Sequence, residues 1–395
     1  MDAHQKFSIR NRKGTRAAVL EALLLKGSAV RGEIARITHL SEASVSRILT
    51  ELRQEKLIEE LRVSAPYVGG PTALITLCKD VCVIGAELAN DRLSFGVGPL
   101  AGAADYADTT EVGPRLAQAE FETRFDSGFA RLKVWLDERN IRPRWAAMAI
   151  PGLLPGRRNP ILPWDDVRLA EFLADRFNPV PVELTNTVVA QAVQRRYSGQ
   201  NVDGDDPHLF VFLGHGVAGT LVQGGGAIDS FRPYEIGHMI VERAGRPCRC
   251  GHHGCLEAYV SVGAISSLID SVDIDLSGAG GVRLAAAVAD PERGADLRNR
   301  LELLGLAIGN ALNLNIADQV QIAGWPALLP DIARHSIMKG MSESLLGDVE
   351  RVSLGFVAPA VRAEPRAALY FAAHRFVASG APAVKVDDAS DEAVA

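Results

Sequence analysis

The chain has 395 residues, 47% of them hydrophobic and 23% charged, enough for two or three domains with separate cores. No apolar run approaches a membrane span and the first residues lack a secretion signal's apolar core, so the expected compartment is the cytoplasm, without a membrane partner. The net charge of −6 hides an asymmetry, with 12 Lys/Arg against 8 Asp/Glu in residues 1–65 and 30 against 40 in the rest. A basic first module on an acidic body predicts that only the first part meets a polyanion.

From Thr15, the residues Ala18, Val19, Ala22, Leu23 and Leu25 recur with helical period, and Gly27 suits the helix end. Ile34, Ala35 and Ile37 mark a second short helix, broken at Thr38-His39-Leu40. Ser41 reads as the N-cap of a third helix, whose buried face is Val45, Ile48, Leu49 and Leu52 and which ends near Lys56. Helix, helix, short turn, helix is the spacing of a helix-turn-helix. Leu57–Glu60 and Thr72–Leu77 read as strands on either side of a Gly/Pro-containing tip, a wing. Ser41, Ser44, Ser46 and Arg47 stand near the start of the third helix, where a recognition helix reaches bases and phosphates. Lys13 and Arg16 belong to a basic arm suited to phosphate contact. The predicted partner of this module is double-stranded operator DNA.

In the body, Val81–Leu88 and Arg92–Val97 read as strand, turn, strand, and Leu209–Val222 repeats the pattern with Gly214, Gly216 and Gly219 around its turn. Two hairpins of one kind predict two similar α/β lobes. Trp145–Ile150 is a buried strand running into Pro151-Gly152. Val180–Leu184 delivers Thr185-Asn186-Thr187 to the start of a helix, the end of a strand where open α/β sheets place ligands. Leu301–Ala317 has helical period, Val320–Ala323 is a short strand, and Arg366–Ala378 is a last helix. The small, acidic tail from Ala381 is expected to be disordered.

The densest chemistry lies between Glu235 and Glu257. Three of the five cysteines, Cys248, Cys250 and Cys255, fall within eight residues, and His238 stands ten residues before the first. In a reducing compartment such a cluster reads as a metal site. Three thiolates and one imidazole complete a tetrahedral set for Zn2+, with no open position, so the metal should be structural. His252 and His253 compete with His238 for the fourth place. Glu235 and Glu257 flank the set, so a metal would immobilise a loop carrying two carboxylates suited to a hydroxyl-rich ligand.

These motifs resemble the ROK (repressor, open reading frame, kinase) family, in its transcriptional-regulator branch, over roughly residues 10–378. The most specific part is Glu-x-Gly-His followed by Cys-x-Cys-Gly-x-x-Gly-Cys-Leu-Glu, present at Glu235–Glu257. Ile150-Pro151-Gly152, Trp164-Asp165-Asp166-Val167 and Leu303-Leu304-Gly305 to Asn313-Leu314 also match. The resemblance implies a winged helix-turn-helix over 1–78 and a two-lobed, ribonuclease-H-like (actin/hexokinase-like) α/β ROK domain over 79–380. Its lobes would be 79–185 and 186–360, with the C-terminal helix packing back and 381–395 as a tail. It implies zinc on His238, Cys248, Cys250 and Cys255, sugar hydroxyls on Asn186, Glu235, His238 and Glu257, and a homodimer or dimer of dimers.

The departures from the family are equally informative. Family kinases carry Asn-Asp where this chain has Asn186-Thr187, and threonine is no general base near neutral pH. The first phosphate loop reads Glu87-Leu88-Ala89-Asn90-Asp91, without the glycines that admit backbone to phosphate. In the second, Gly214 to Gly219, His215 stands where a threonine is usual. Gly324-Trp325 replaces a Gly-Gly pair, Gly69-Gly70-Pro71 lacks the usual wing arginine, and Phe231-Arg232-Pro233-Tyr234 replaces a small approach to Glu235. The expected function is a non-catalytic, DNA-binding repressor that senses a sugar or sugar derivative. The alternatives are a sugar kinase with a DNA-binding head, or a repressor under a protein partner.

Overall fold

The computed structural model describes residues 12–63, 72–89, 92–101, 103–113, 116–152, 159, 162, 164–198, 207–222, 231–269, 278–315, 317–357 and 365–382. The tip Gly69-Gly70-Pro71, the turn Asn90-Asp91, the Lys13 side chain and the tail beyond 382 lie outside the described residues.

Three helices come first among the described residues. α1 (Arg12–Lys26) stops at Gly27, whose φ of 71° is a left-handed conformation that glycine adopts without strain. α2 (Arg31–Thr38) ends at His39, and α3 (Glu42–Gln54) starts at Ser41, whose Oγ accepts the Ser44 N–H at 3.2 Å. Strands β1 (Ser28–Ala29), β2 (Ile58–Val63) and β3 (Thr72–Leu77) form a small sheet in the order β1-β3-β2. Apolar residues one turn apart bring Val19, Leu20, Leu23, Ile34, Val45, Leu49 and Leu52 into one buried cluster.

The body holds two five-stranded sheets of identical topology. The first comprises β4 (Cys82–Ala89), β5 (Arg92–Pro99), β6 (Tyr106–Glu111), β7 (Ala146–Ile150) and β8 (Val182–Asn186), ordered β6-β5-β4-β7-β8. The second comprises β9 (His208–Leu213), β10 (Val217–Val222), β11 (Phe231–Tyr234), β12 (Gln319–Gly324) and β13 (Ser353–Val357), ordered β11-β10-β9-β12-β13. In each, the first three strands run antiparallel and the last two join in parallel. α4 (Gln118–Glu138) and α5 (Asp166–Phe177) cover the first sheet, where Phe121, Phe125 and Phe129, one per turn, pack with Phe95 and Phe177.

Two helices tie these parts together. α6 (Thr187–Tyr197) follows β8 directly; α7 (Glu257–Val260), α8 (Val262–Ser266), α9 (Gly278–Ala289), α10 (Pro291–Leu314) and α11 (Pro330–Ser342) come later in the chain, and α12 (Arg366–Ala378) packs against α6. α12 presses so closely on β4 that a Cβ on Gly85 would lie 2.6 Å from the Leu369 nitrogen. Both helices also meet α1. Val19 and Leu20 of the head, Val83 of the first sheet, Val193 of α6, Phe210 of the second sheet and Phe376 of α12 therefore share one apolar core.

Polar side chains cross the same joint. Tyr197 Oη donates to Glu21 Oε1 at 3.0 Å and lies 2.8 Å from His374 Nδ1. The Arg16 guanidinium binds Glu55 and donates from Nε to the Gly380 carbonyl at 2.7 Å, so it is turned inward rather than held out in a basic arm.

His374 is 1% exposed, and burial, with help from Arg375 and Arg196, pushes its imidazole down to about 3. It is neutral in the fold but takes a proton near its ordinary value when unfolded, so the unfolded chain binds the extra proton between about pH 6 and 3. Stability should fall as pH drops through that window, by up to about 1.4 kcal/mol per pH unit. Urea unfolding followed from neutral pH to about pH 4 should show this slope. His374→Gln should flatten it, and equal slopes in both proteins would refute the assignment.

Candidate metal centre and binding cleft

β11 leads directly into Glu235, and a 3-10 turn over Ile236–His238 follows. Bridges between Ile240 and Cys255 and between Pro247 and His253 then fold the chain into a knuckle. Gly254 has a φ of 77°, and a Cβ there would sit 1.7 Å from the Glu242 carbonyl oxygen, so only glycine fits. α7 (Glu257–Val260) and α8 (Val262–Ser266) begin where the knuckle ends.

The donor atoms of His238, Cys248, Cys250 and Cys255 all lie within 4.8 Å of one another. Cys250 Sγ is 3.6 Å from Cys255 Sγ, and Cys248 Sγ is 3.7 Å from His238 Nδ1. A tetrahedral ion with metal–sulfur bonds of about 2.3 Å has sulfur–sulfur edges near 3.8 Å, so these four residues fit a metal ion. Burial and the neighbouring sulfurs push the Cys255 thiol up to about 12, because three thiolates this close repel without a cation among them. His252 and His253 are exposed, and the fourth donor of the group is His238. Its Nδ1 faces the sulfurs, which leaves Nε2 on the opposite side, 3.8 Å from Glu235 Oε2. A metal on Nδ1 would fix the proton on Nε2 and so present one N–H donor beside Glu235.

Glu257 is 4% exposed and anchored by two neighbours. Its Oε2 accepts the Val217 N–H at 3.0 Å, and Arg249 Nε donates to Oε1 at 2.6 Å. Reading the sequence overlooked Arg249. The available signal was a cation between two cysteine ligands, a position whose side chain must point away from the metal. Burial raises the Glu235 carboxyl and the charge of Glu257 adds to that, while His238 and Arg249 oppose it. Glu235, His238 and Glu257 thus form one group with Arg249. Asn186 stands apart on the first sheet, at the end of β8, where its Oδ1 accepts the Val188 N–H at 3.0 Å and caps α6.

Four positions at which the sequence departs from the family kinases have the following surroundings. Thr187 Oγ1 is buried and has no hydrogen-bond partner among the described residues. Burial pushes the Glu87 carboxyl up to about 7. The Gly214 N–H is taken by the Gly216 carbonyl at 3.0 Å and the Gly214 carbonyl by the Val262 N–H at 2.7 Å, which closes the second loop on itself and on α8. The Trp325 ring is 0% exposed and donates from Nε1 to the Val260 carbonyl at 2.8 Å, filling the space beyond β12.

On the head, Arg47 is exposed and makes no ion pair among the described residues. Ser44 and Ser46 are half-buried on the same helix. Ser41 and Ser44 hydroxyls lie 2.9 Å apart within the cap, and Ser46 donates to the Glu42 carbonyl at 2.8 Å. No helix among the described residues is long and apolar enough to cross a membrane.

The chain is 24% identical over 270 residues to the xylose repressor of Caldicellulosiruptor bescii, and 26% identical over 268 residues to the DNA-binding transcriptional dual regulator NagC of Escherichia coli (strain K12). Each alignment covers 64% of this chain and 64% of the relative, so the chain spans just under two thirds of their length. Among solved structures it superposes on a ROK family transcriptional regulator, a homolog of the E. coli MLC protein, with a TM-score of 0.72 at 20% identity over 93% of this chain and 97% of that one. It also superposes on the ROK hexokinase of Thermus thermophilus with a TM-score of 0.55 at 21% identity, over 74% and 97%. Both likenesses concern the fold. The ROK family model matches residues 143–364, more than half of the sequence, and the chain belongs to the ROK family.

Proposed function

We propose that this protein is a DNA-binding transcriptional repressor whose ROK domain binds a sugar or sugar derivative without phosphorylating it. The observation that carries the reading is α3. Its apolar face, Val45, Ile48, Leu49 and Leu52, is buried, while Arg47 stands in solvent without an ion-pair partner among the described residues. A capped, well-packed helix with a free guanidinium near its start suits a recognition helix in a winged helix-turn-helix. Ser41, Ser44 and Ser46 line the same turn, and Arg16 leaves the set of DNA contacts because it is committed to Glu55 and Gly380.

In the body, zinc on His238, Cys248, Cys250 and Cys255 would supply a structural anchor. The chain's own groups would then do the recognising. His238 would offer an N–H, Glu235 an acceptor, and Glu257 the acceptor capacity that Val217 and Arg249 leave. Asn186 would complete the site from the other sheet. Names of relatives support the regulatory half of the reading, since the xylose repressor and NagC are named as regulators. Thr187 in place of a base, and a second loop closed on its own carbonyl, support the absence of kinase activity. A homodimer would present two α3 helices to a palindromic operator.

For DNA, Arg47→Ala should weaken binding to the gene's own upstream region by about 1–3 kcal/mol, read by fluorescence anisotropy at fixed salt. Equal affinity of both proteins would reject α3 as the reading helix.

For the effector, calorimetry over xylose, glucose and N-acetylglucosamine should find one sugar that binds. Glu257→Ala should weaken it roughly tenfold or more while leaving operator affinity without sugar nearly intact. No ATP turnover should accompany binding, and phosphorylation of any of these sugars by the wild type would overturn the repressor reading.

A further inference from the structure

The bulky approach to Glu235 has a structural counterpart at the head–body joint. Phe231 opens β11, and its ring meets the His374 ring edge-on, at 5.8 Å and 78°. Glu235 lies four residues further on, about 13 Å along an extended strand. His374 Nδ1 is 2.8 Å from Tyr197 Oη, and Tyr197 donates its single hydroxyl hydrogen to Glu21 Oε1 at 3.0 Å. His374 Nδ1 must therefore carry the hydrogen of the other bond and donate it to Tyr197. Arg196 Nη2 stands 3.6 Å from the same Glu21 oxygen.

Tyr197 and His374 are 5% and 1% exposed, so water cannot replace the bond between them, while the Glu21 side chain, 23% exposed, lies at the edge of the cluster. Tyr197 ends α6, and Asn186 caps its other end, eleven residues or about 16 Å away. Two elements, β11 from Glu235 and α6 from Asn186, thus run from the candidate cleft to one buried cluster. A third element, α1, carries Glu21 from that cluster into the head. A shift of α6 by about 1 Å would stretch the Tyr197 hydrogen bonds beyond their range, and a shift of β11 would part the Phe231 and His374 rings, so either site element can act on the cluster.

We propose that the Glu21–Tyr197–His374 cluster, sealed by Phe231, is the joint through which the state of the cleft sets the position of the head. Tyr197, His374 and Phe231 act as positioning residues, reaching DNA only through α1. This inference rests on the function proposed above, but its test needs neither operator nor sugar.

Hydrogen–deuterium exchange is measured on the full chain, with Glu235→Gln and Asn186→Ala as perturbations of the cleft. Each is made in the wild type, in Tyr197→Phe, which removes one hydroxyl, and in Phe231→Leu, which removes the ring edge. In the wild type at least one cleft substitution should change α1 amide exchange about threefold or more. In both joint variants the change should largely vanish, while exchange within the second sheet responds as before. If Tyr197→Phe does not fold, Phe231→Leu decides. Equal α1 responses in all backgrounds, or no response to either cleft substitution in the wild type, would overturn the proposal. Operator binding by the wild type, measured in parallel, reports on the proposed function alone.

Discussion

Three sulfurs and one imidazole nitrogen gathered within 4.8 Å are the constraint on which the cleft depends. The knuckle has little apolar content of its own. Its shape comes from two bridges, a positive-φ glycine and the convergence of those four donors. Without a cation the three thiols cannot all ionise, and repulsion between sulfurs that lose their protons would work against the turn that brings them together. With a cation, the same turn fixes His238, and His238 fixes the edge on which Glu235 stands. Glu257 is held from the other side by Val217 and Arg249.

Around that knuckle, the fold repeats one design twice. Each sheet has a three-stranded antiparallel meander followed by two parallel strands, with Asn186 at the end of β8 in the first and Glu235 directly after β11 in the second. α6 and α12 couple the sheets to α1. These helices give the head and the first sheet a common core, so the head is packed onto the body rather than tethered to it. A packed joint of this kind transmits displacement, whereas a flexible linker would absorb it.

Much of this was legible in the residues, for physical reasons. The head helices follow from apolar period and from Ser41 and Gly27 as boundaries, and Arg366–Ala378 matches its helix end for end. The metal set follows from cysteine spacing. Edge strands β6, β11 and β13 were not read, because Tyr106–Glu111 is half-exposed and polar, Pro233 interrupts β11, and Ser353–Val357 is short. The helix read from Leu301 starts ten residues earlier at Pro291, capped by Asp290, an Asp-Pro signal that was present. Phe121, Phe125 and Phe129 likewise showed the period of α4. The Tyr197–His374 contact spans 177 residues and has no local signal, since only tertiary packing creates it. Arg16, read as an arm residue, is a joint residue for the same reason.

In the proposed mechanism, a metal-held knuckle organises an effector site that governs the head. The most direct test compares effector-dependent operator release by metal-loaded protein and by protein stripped with a chelator, with metal content and circular dichroism measured on both. The expected result is about one zinc per chain in the loaded protein, release by the binding sugar, and loss of that response on stripping while α1 to α3 stay folded and bind operator. Stripped protein that is folded, metal-free and still fully responsive to the sugar would contradict it.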